Sequence, residues 1–221
     1  MDYQAYEHDS LALDPSSPFF WDHLARYWWA AGKAGGARVL DVGCGHGYGS
    51  YLLASQASEV VGIDLNESSL LEARRAFSRE NLRFQLENVV GLEAKEKPFG
   101  LVVAFEVIEH IPPALSKEFL QGLKNCLAPG GVLLLSTPNH EVVLRSGMPV
   151  PDFHINNFRP QELKQALRQY FSQVEILGQY RERSFWNELF FSLDIWNLRH
   201  SLRGKVVPQI EPGLPRQGLG S

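Results

Sequence analysis

The stretch Val39-Leu40-Asp41-Val42-Gly43-Cys44-Gly45-His46-Gly47-Tyr48-Gly49 constrains the fold more than any other part of the chain. A short apolar run enters glycines at alternate positions, and a helix-forming segment leaves them. Glycines allow a sharp backbone turn and close approach to a ligand, and the helix that follows presents N–H groups there. Such a turn belongs to a βα unit, and the sequence repeats the alternation. Strands are expected at Arg38–Val42, Val60–Asp64, Leu82–Leu86, Leu101–Phe105, Val132–Ser136 and Gln173–Leu177. Helices are expected at Phe19–Ala31, Tyr48–Gln56, Glu67–Arg79, Pro113–Leu127 and Gln161–Tyr170. Gly32, Gly35 and Gly36 are expected to stop the first helix. Strands and helices alternating at these lengths predict an α/β, Rossmann-like three-layer sandwich around a mostly parallel sheet.

With 221 residues, one domain with appendages fits better than two domains. Residues 1–36 read as an arm and lid helix, 37–180 as the sheet domain, and 181–221 as an aromatic helix with a Gly- and Pro-rich tail. Val206-Val207 reads as a short edge strand. The aromatic stretches 19–29 and 184–196 are expected to pack over the sheet. A dimer face or a peripheral membrane contact are the alternatives, so the chain is read as a monomer or homodimer. The net charge of −4 argues against nucleic acid as a partner. Cys44 and Cys126 cannot build a disulfide framework or a four-cysteine zinc site. They fit a reducing cytoplasm, as does a polar N-terminus unlike a signal peptide. No apolar run reaches the length of a membrane span.

Asp64 lies 21 residues after Gly43, at the end of the second strand. An acid there can accept hydrogen bonds from the ribose hydroxyls of a nucleoside. Nicotinamide dinucleotides and S-adenosylmethionine (SAM) both fit that arrangement. Asp41 favours SAM, because a carboxylate beside the loop repels a pyrophosphate and suits an α-ammonium group, directly or through water. Farther on, Glu106, Glu109 and His110 are spaced i, i+3 and i+4, so a helical turn places them on one face. Two carboxylates and an imidazole can hold a divalent cation such as Mg²⁺, Mn²⁺ or Zn²⁺, with His154 as a fourth ligand. Without a metal, His110 reads as a general base. His46 and His140 read as loop histidines on the surface.

VLDVGCGHGYG resembles the first motif of the class I SAM-dependent methyltransferases, and VVGIDLN their second-strand motif. FEVIEHI, LAPGGVLLLSTPN and HINNFRPQEL are similar to later motifs of the subgroup containing ubiquinone-biosynthesis O-methyltransferases. The resemblance spans about residues 37–178. It implies a seven-stranded sheet with a final antiparallel strand. It implies a SAM pocket of Asp41, Gly43, Cys44, Gly45, Gly47, Asp64, Leu65, Asn88, Val89 and Phe105, with Asn88 where the family has Asp. It implies catalysis by His110 and Glu109, and a metal set of Glu106, Glu109, His110 and His154. The expected reaction is O-methylation of a small-molecule or lipid- or glycan-linked hydroxyl. RNA 2′-O-methylation and a non-catalytic SAM-binding partner are the alternatives.

Overall fold

The computed structural model describes residues 18–92, 98–147 and 149–179. The chain order is α1 (Pro18–Ala34), β1 (Arg38–Val42), α2 (Tyr48–Leu53), β2 (Glu59–Asp64), α3 (Glu67–Ala76), β3 (Leu82–Leu86), β4 (Phe99–Phe105), α4 (Ser116–Cys126), β5 (Leu127–Ser136), α5 (His140–Ser146) and α6 (Pro160–Arg168). The strands form one sheet in the order β3-β2-β1-β4-β5. All four pairings are parallel. The order reverses between β1 and β4, which opens a crevice at the carboxyl ends of these two strands. The glycine loop follows one of them and the Glu-Val-Ile-Glu-His segment the other.

Both faces of the sheet are covered. Leu40, Val42, Val61, Ile63, Val102 and Ala104 pack with Phe119, Leu120 and Leu123 of α4. Val39, Val60, Leu101 and Val103 pack on the other side with Tyr27, Ala30 and Ala31 of α1. Strands enclosed on both faces are mostly apolar, as β4 is and as β1 is apart from Arg38 and Asp41. Helix starts follow local chemistry. The Asn66 side chain accepts from the Ser69 N–H (3.1 Å) to begin α3, and Asn139 accepts from the Glu141 N–H (3.0 Å) to begin α5.

Several expectations change. Helix α1 runs through Gly32 to Ala34, because its buried face continues through Ala30, Ala31 and Ala34. The sheet has five described strands where seven were expected. Gln173–Leu177 is irregular chain, although Val174 and Ile176 still pack against the core. The expected antiparallel strand is absent among the described residues. The N-terminal arm, the aromatic helix 184–202 and Val206-Val207 lie outside the described residues. Among the described residues, no helix is long and apolar enough to cross a membrane.

Candidate active site

The glycine loop is held by its own amides. The N–H groups of Gly43 (2.9 Å) and Cys44 (3.1 Å) donate to the Ile63 carbonyl, and that of Gly47 donates to the Cys44 carbonyl (3.0 Å). The Gly45 N–H donates to Asp64 Oδ2 (2.8 Å), while the Asn66 N–H donates to Asp64 Oδ1 (2.8 Å). Asp64 is half-exposed, and each of its oxygens keeps a second lone pair for a ligand hydroxyl. Leu65 is exposed next to it, and Cys44 is buried in the turn. His46 is pinned rather than loose: its Nδ1 lies 2.9 Å from Glu72 of α3.

Asp41 is expected to serve an ammonium group directly or through water, and the structure gives both of its oxygens protein donors. It is fully buried behind the loop. Tyr27 Oη of α1 donates to Oδ1 (3.0 Å), and Ser50 Oγ of α2 donates to Oδ2 (2.6 Å). Burial pushes its carboxyl up to about 7, against the two hydrogen bonds that pull it down. The same burial, with the charge of Asp41, holds the Tyr27 phenol well above its ordinary value. Phe105 is also interior, packed edge-on against Tyr27 (5.1 Å between ring centres). Val89 is buried. Asn88 is exposed, and its side-chain oxygen accepts from the Val90 N–H (2.9 Å), so it braces its own turn.

The second constellation assembles in part. Past β4 the chain does not continue as one helix. Glu106 takes a left-handed backbone (φ 55°), and a 3₁₀ turn follows over Ile108–His110. Glu106 therefore does not share a face with Glu109 and His110. Its Oε1 instead accepts from Ser136 Oγ (2.6 Å) and pairs with Arg26 Nη1 of α1 (3.1 Å). Glu109, His110 and His154 do converge: one potential ligand atom from each lies within 4.8 Å of the others. The loop carrying His154 is tied down by buried Asn156. Its N–H donates to the Glu109 carbonyl (3.0 Å), and its Nδ2 donates to the Ile108 carbonyl (3.3 Å) and Ser116 Oγ (2.8 Å). His110 Nδ1 lies 3.3 Å from the Phe153 carbonyl oxygen. A carbonyl only accepts, so the neutral ring carries its proton on Nδ1 and presents a lone pair at Nε2.

Glu109 is 1% exposed, and among the described residues neither carboxylate oxygen has a partner in good hydrogen-bond geometry. Burial is the main reason its carboxyl is pushed up to about 8, and the Glu106 charge adds to it. A buried carboxylate in this state needs a proton or a cation. Beside two imidazoles, it fits a divalent ion, with Glu109, His110 and His154 as the set and Glu106 outside it.

A family model described as a methyltransferase domain matches residues 12–170. The chain belongs to the methyltransferase-domain family. A "Probable S-adenosylmethionine-dependent methyltransferase" of Mycolicibacterium smegmatis is 33% identical over 159 residues, covering 71% of this chain and 60% of that one. A ubiquinone biosynthesis O-methyltransferase of Psychrobacter cryohalolentis is 33% identical over 161 residues, covering 65% of this chain and 62% of the relative. The chain thus spans about three fifths of the length of these relatives. Among solved structures, the N-methyltransferase NodS of Bradyrhizobium japonicum in complex with S-adenosyl-L-homocysteine shares the fold. Its TM-score is 0.59 at 19% identity, covering 79% of this chain and 87% of NodS. This methyltransferase domain is of the class I, SAM-dependent type, and its crevice fits the cofactor. The tip at Gly45 is open, with nothing within 4 Å of where a side chain would start, and Asp64 keeps ribose-accepting lone pairs beside it.

The sequence reading missed Tyr27, Ser50, Arg26, Ser136 and Asn156. Tyr27 was visible only as an apolar position of the first helix. Arg26, one residue before it on that helix, was the one available hint that a charge would be carried over the crevice.

The buried Asp41 gives a pH-dependent stability. Its carboxyl is raised from 3.8 to about 7, so the folded state holds the proton more tightly than the unfolded chain does. The contribution is full below the unfolded value, and it is lost as pH rises through about 7. Relative to Asp41→Asn, the wild type is expected to lose about 3 kcal/mol of stability between pH 5 and pH 8. Urea unfolding of both proteins at the two pH values measures it; a gap that does not change with pH overturns it.

Proposed function

We propose that this domain transfers a methyl group from SAM to a hydroxyl of a small-molecule or lipid- or glycan-linked acceptor. The observation that carries the reading is the Glu109–His110–His154 cluster, placed at the same sheet edge as the cofactor loop. Names of relatives containing "O-methyltransferase" support oxygen as the target. Asp64 accepts the ribose hydroxyls, and Gly43, Cys44, Gly45 and Gly47 shape the loop against the cofactor. Leu65, Asn88 and Val89 flank the base, while Asp41 and Phe105 act from behind the loop as its support. Helix α1 serves as the lid.

The sulfonium of SAM supplies an activated methyl with a good leaving group, so the chain's main task is alignment and exclusion of water. With no ion bound, His110 takes the proton of the attacking hydroxyl at Nε2, and the Phe153 carbonyl keeps the ring in the required tautomer. Ionised Glu109 then stabilises the imidazolium that results. A divalent ion held by Glu109, His110 and His154 would instead lower the pKa of the acceptor hydroxyl, with His110 as a ligand rather than the base. Both cysteines are buried and neither is in a disulfide, which suits a reducing cytoplasm.

The test is SAM consumption and S-adenosylhomocysteine production over a panel of phenols, catechols, sugars and polyprenyl-linked compounds, with short RNAs as the contrasting arm. Each is run with chelator and after return of Mg²⁺, Mn²⁺ or Zn²⁺. Turnover on a hydroxyl acceptor that falls with chelator and returns with metal is expected. Full activity in chelator removes the metal, and transfer only to nitrogen removes the O-methylation. Because a proton competes for Glu109 up to about pH 8, apparent metal affinity is expected to rise by about tenfold per pH unit from pH 6 to pH 8. Isothermal titration with Mn²⁺ at the three pH values checks this; a flat profile contradicts it.

A further inference from the structure

The family resemblance implies four ligands at the candidate metal site, and the structure brings three of them together. Glu106 is the acid immediately after β4. It is the one non-glycine residue with positive φ among the described residues. Left-handed backbone is costly for a residue with a side chain, and such strain is concentrated at functional sites. Here it turns the carboxylate away from the 3₁₀ turn that carries Glu109 and His110. The Glu106 N–H donates to the Ser136 carbonyl (3.0 Å), while the Ser136 hydroxyl and the Arg26 guanidinium both hold Oε1. Three contacts from two elements therefore fix an acid that lies outside the converging set of Glu109, His110 and His154.

We propose that Arg26 sets the ligand count of the candidate metal site by holding Glu106 out of it. The inference rests on the metal reading above. Octahedral ions such as Mg²⁺ and Mn²⁺ take six ligands, so a three-residue set leaves about half of the shell for acceptor oxygens and water. A fourth protein carboxylate takes one of those places and adds a second negative charge, which tightens metal binding at the expense of the acceptor. Arg26 supplies the compensating positive charge from α1. The ligand set is thereby tied to the seating of α1, which Tyr27 and His23 fix through Asp41 and Tyr48.

Mn²⁺ binding tests this without any acceptor. Affinity is read by electron paramagnetic resonance titration, and the number of bound waters by pulsed resonance on the same samples. Wild type, Arg26→Met, Ser136→Ala, Glu106→Gln and Glu109→Ala are compared, each checked for its fold by circular dichroism and SAM binding. Arg26→Met is expected to bind Mn²⁺ about tenfold more tightly, with one fewer bound water. Ser136→Ala, which loosens Glu106 without changing charge, is expected to shift in the same direction by less. Glu106→Gln should bind as the wild type does, and Glu109→Ala should lose binding. A gain in affinity by Arg26→Met with an unchanged water count means only that the local field changed, and it overturns the proposal. So does loss of binding in Glu106→Gln equal to that in Glu109→Ala. Wild type that binds Mn²⁺ while Arg26→Met is indistinguishable from it overturns this inference alone. No Mn²⁺ binding by any form overturns the metal reading and this inference with it.

Discussion

His110→Ala is expected to lower methyl-transfer turnover by about 10²–10⁴-fold, the range for loss of a positioned general base, while SAM affinity stays near that of the wild type. The asymmetry follows from where the residue sits. His110 lies after β4 in the Glu109–His154 cluster, whereas the loop amides and Asp64 are held by β1, β2 and one another. A structural role must be separated from a chemical one, because the His110 ring stacks on Phe153 (5.8 Å) and meets His154 edge-on (5.0 Å). His110→Phe retains an aromatic ring for those contacts and removes both nitrogens. It is expected to keep the wild-type melting temperature and to lose as much turnover as His110→Ala does. Comparable activity in His110→Phe, or an equal loss of turnover and SAM affinity in both variants, would sink the assignment.

The second large effect is expected at Gly47. Its φ is 83°, in the left-handed region, and a Cβ there would lie 2.6 Å from Phe84 Cζ and 2.7 Å from Ala73 Cβ. Left-handed strain and overpacking then act together, and Gly47→Ala is expected to cost roughly 2–5 kcal/mol of stability. It should also weaken SAM binding, because the turn that shapes the loop has to shift. Gly45→Ala is the control. That residue is also left-handed (φ 50°) but has nothing within 4 Å of an added carbon, so only the strain remains, about 1–2 kcal/mol. Urea unfolding of the two variants separates packing from backbone; equal losses would show that Phe84 and Ala73 yield freely.

What was legible in the sequence was what one segment decides for itself. Leu101–Phe105 is apolar throughout and Val39–Val42 is apolar but for Asp41, so they read as strands enclosed on both faces, and the sheet pairs them with each other. The glycine loop, Asp64 after β2, and the pairing of Glu109 with His110 were legible for the same reason. What failed depends on partners distant in the chain. Asp41 next to a glycine gives no sign of Tyr27 and Ser50, 14 residues before it and 9 after it, which each donate to one of its oxygens. Glu106 fits helical spacing with Glu109 and His110, but a left-handed residue breaks the helix before that spacing has meaning. Asn88 has the right chemistry for a nucleobase amino group, and its own Val90 N–H competes for the same oxygen. Gln173–Leu177 has an apolar alternation, yet strand character also needs ladder hydrogen bonds; Val174 and Ile176 pack on the core without them, and Leu177 is exposed.

The bond from Tyr27 to Asp41 has a consequence for how the molecule breathes. In sequence α1 precedes the first strand and looks detachable. In space its Tyr27 phenol is a donor to an acid that has no access to water, and the same ring packs on Phe105. Lifting α1 would hydrate that acid and open the apolar floor beneath it, so the helix cannot fray by itself. The amides of α1, the end of β1 and the start of α2 therefore form one cooperative opening unit, exchanging with solvent in a single event rather than in sequence.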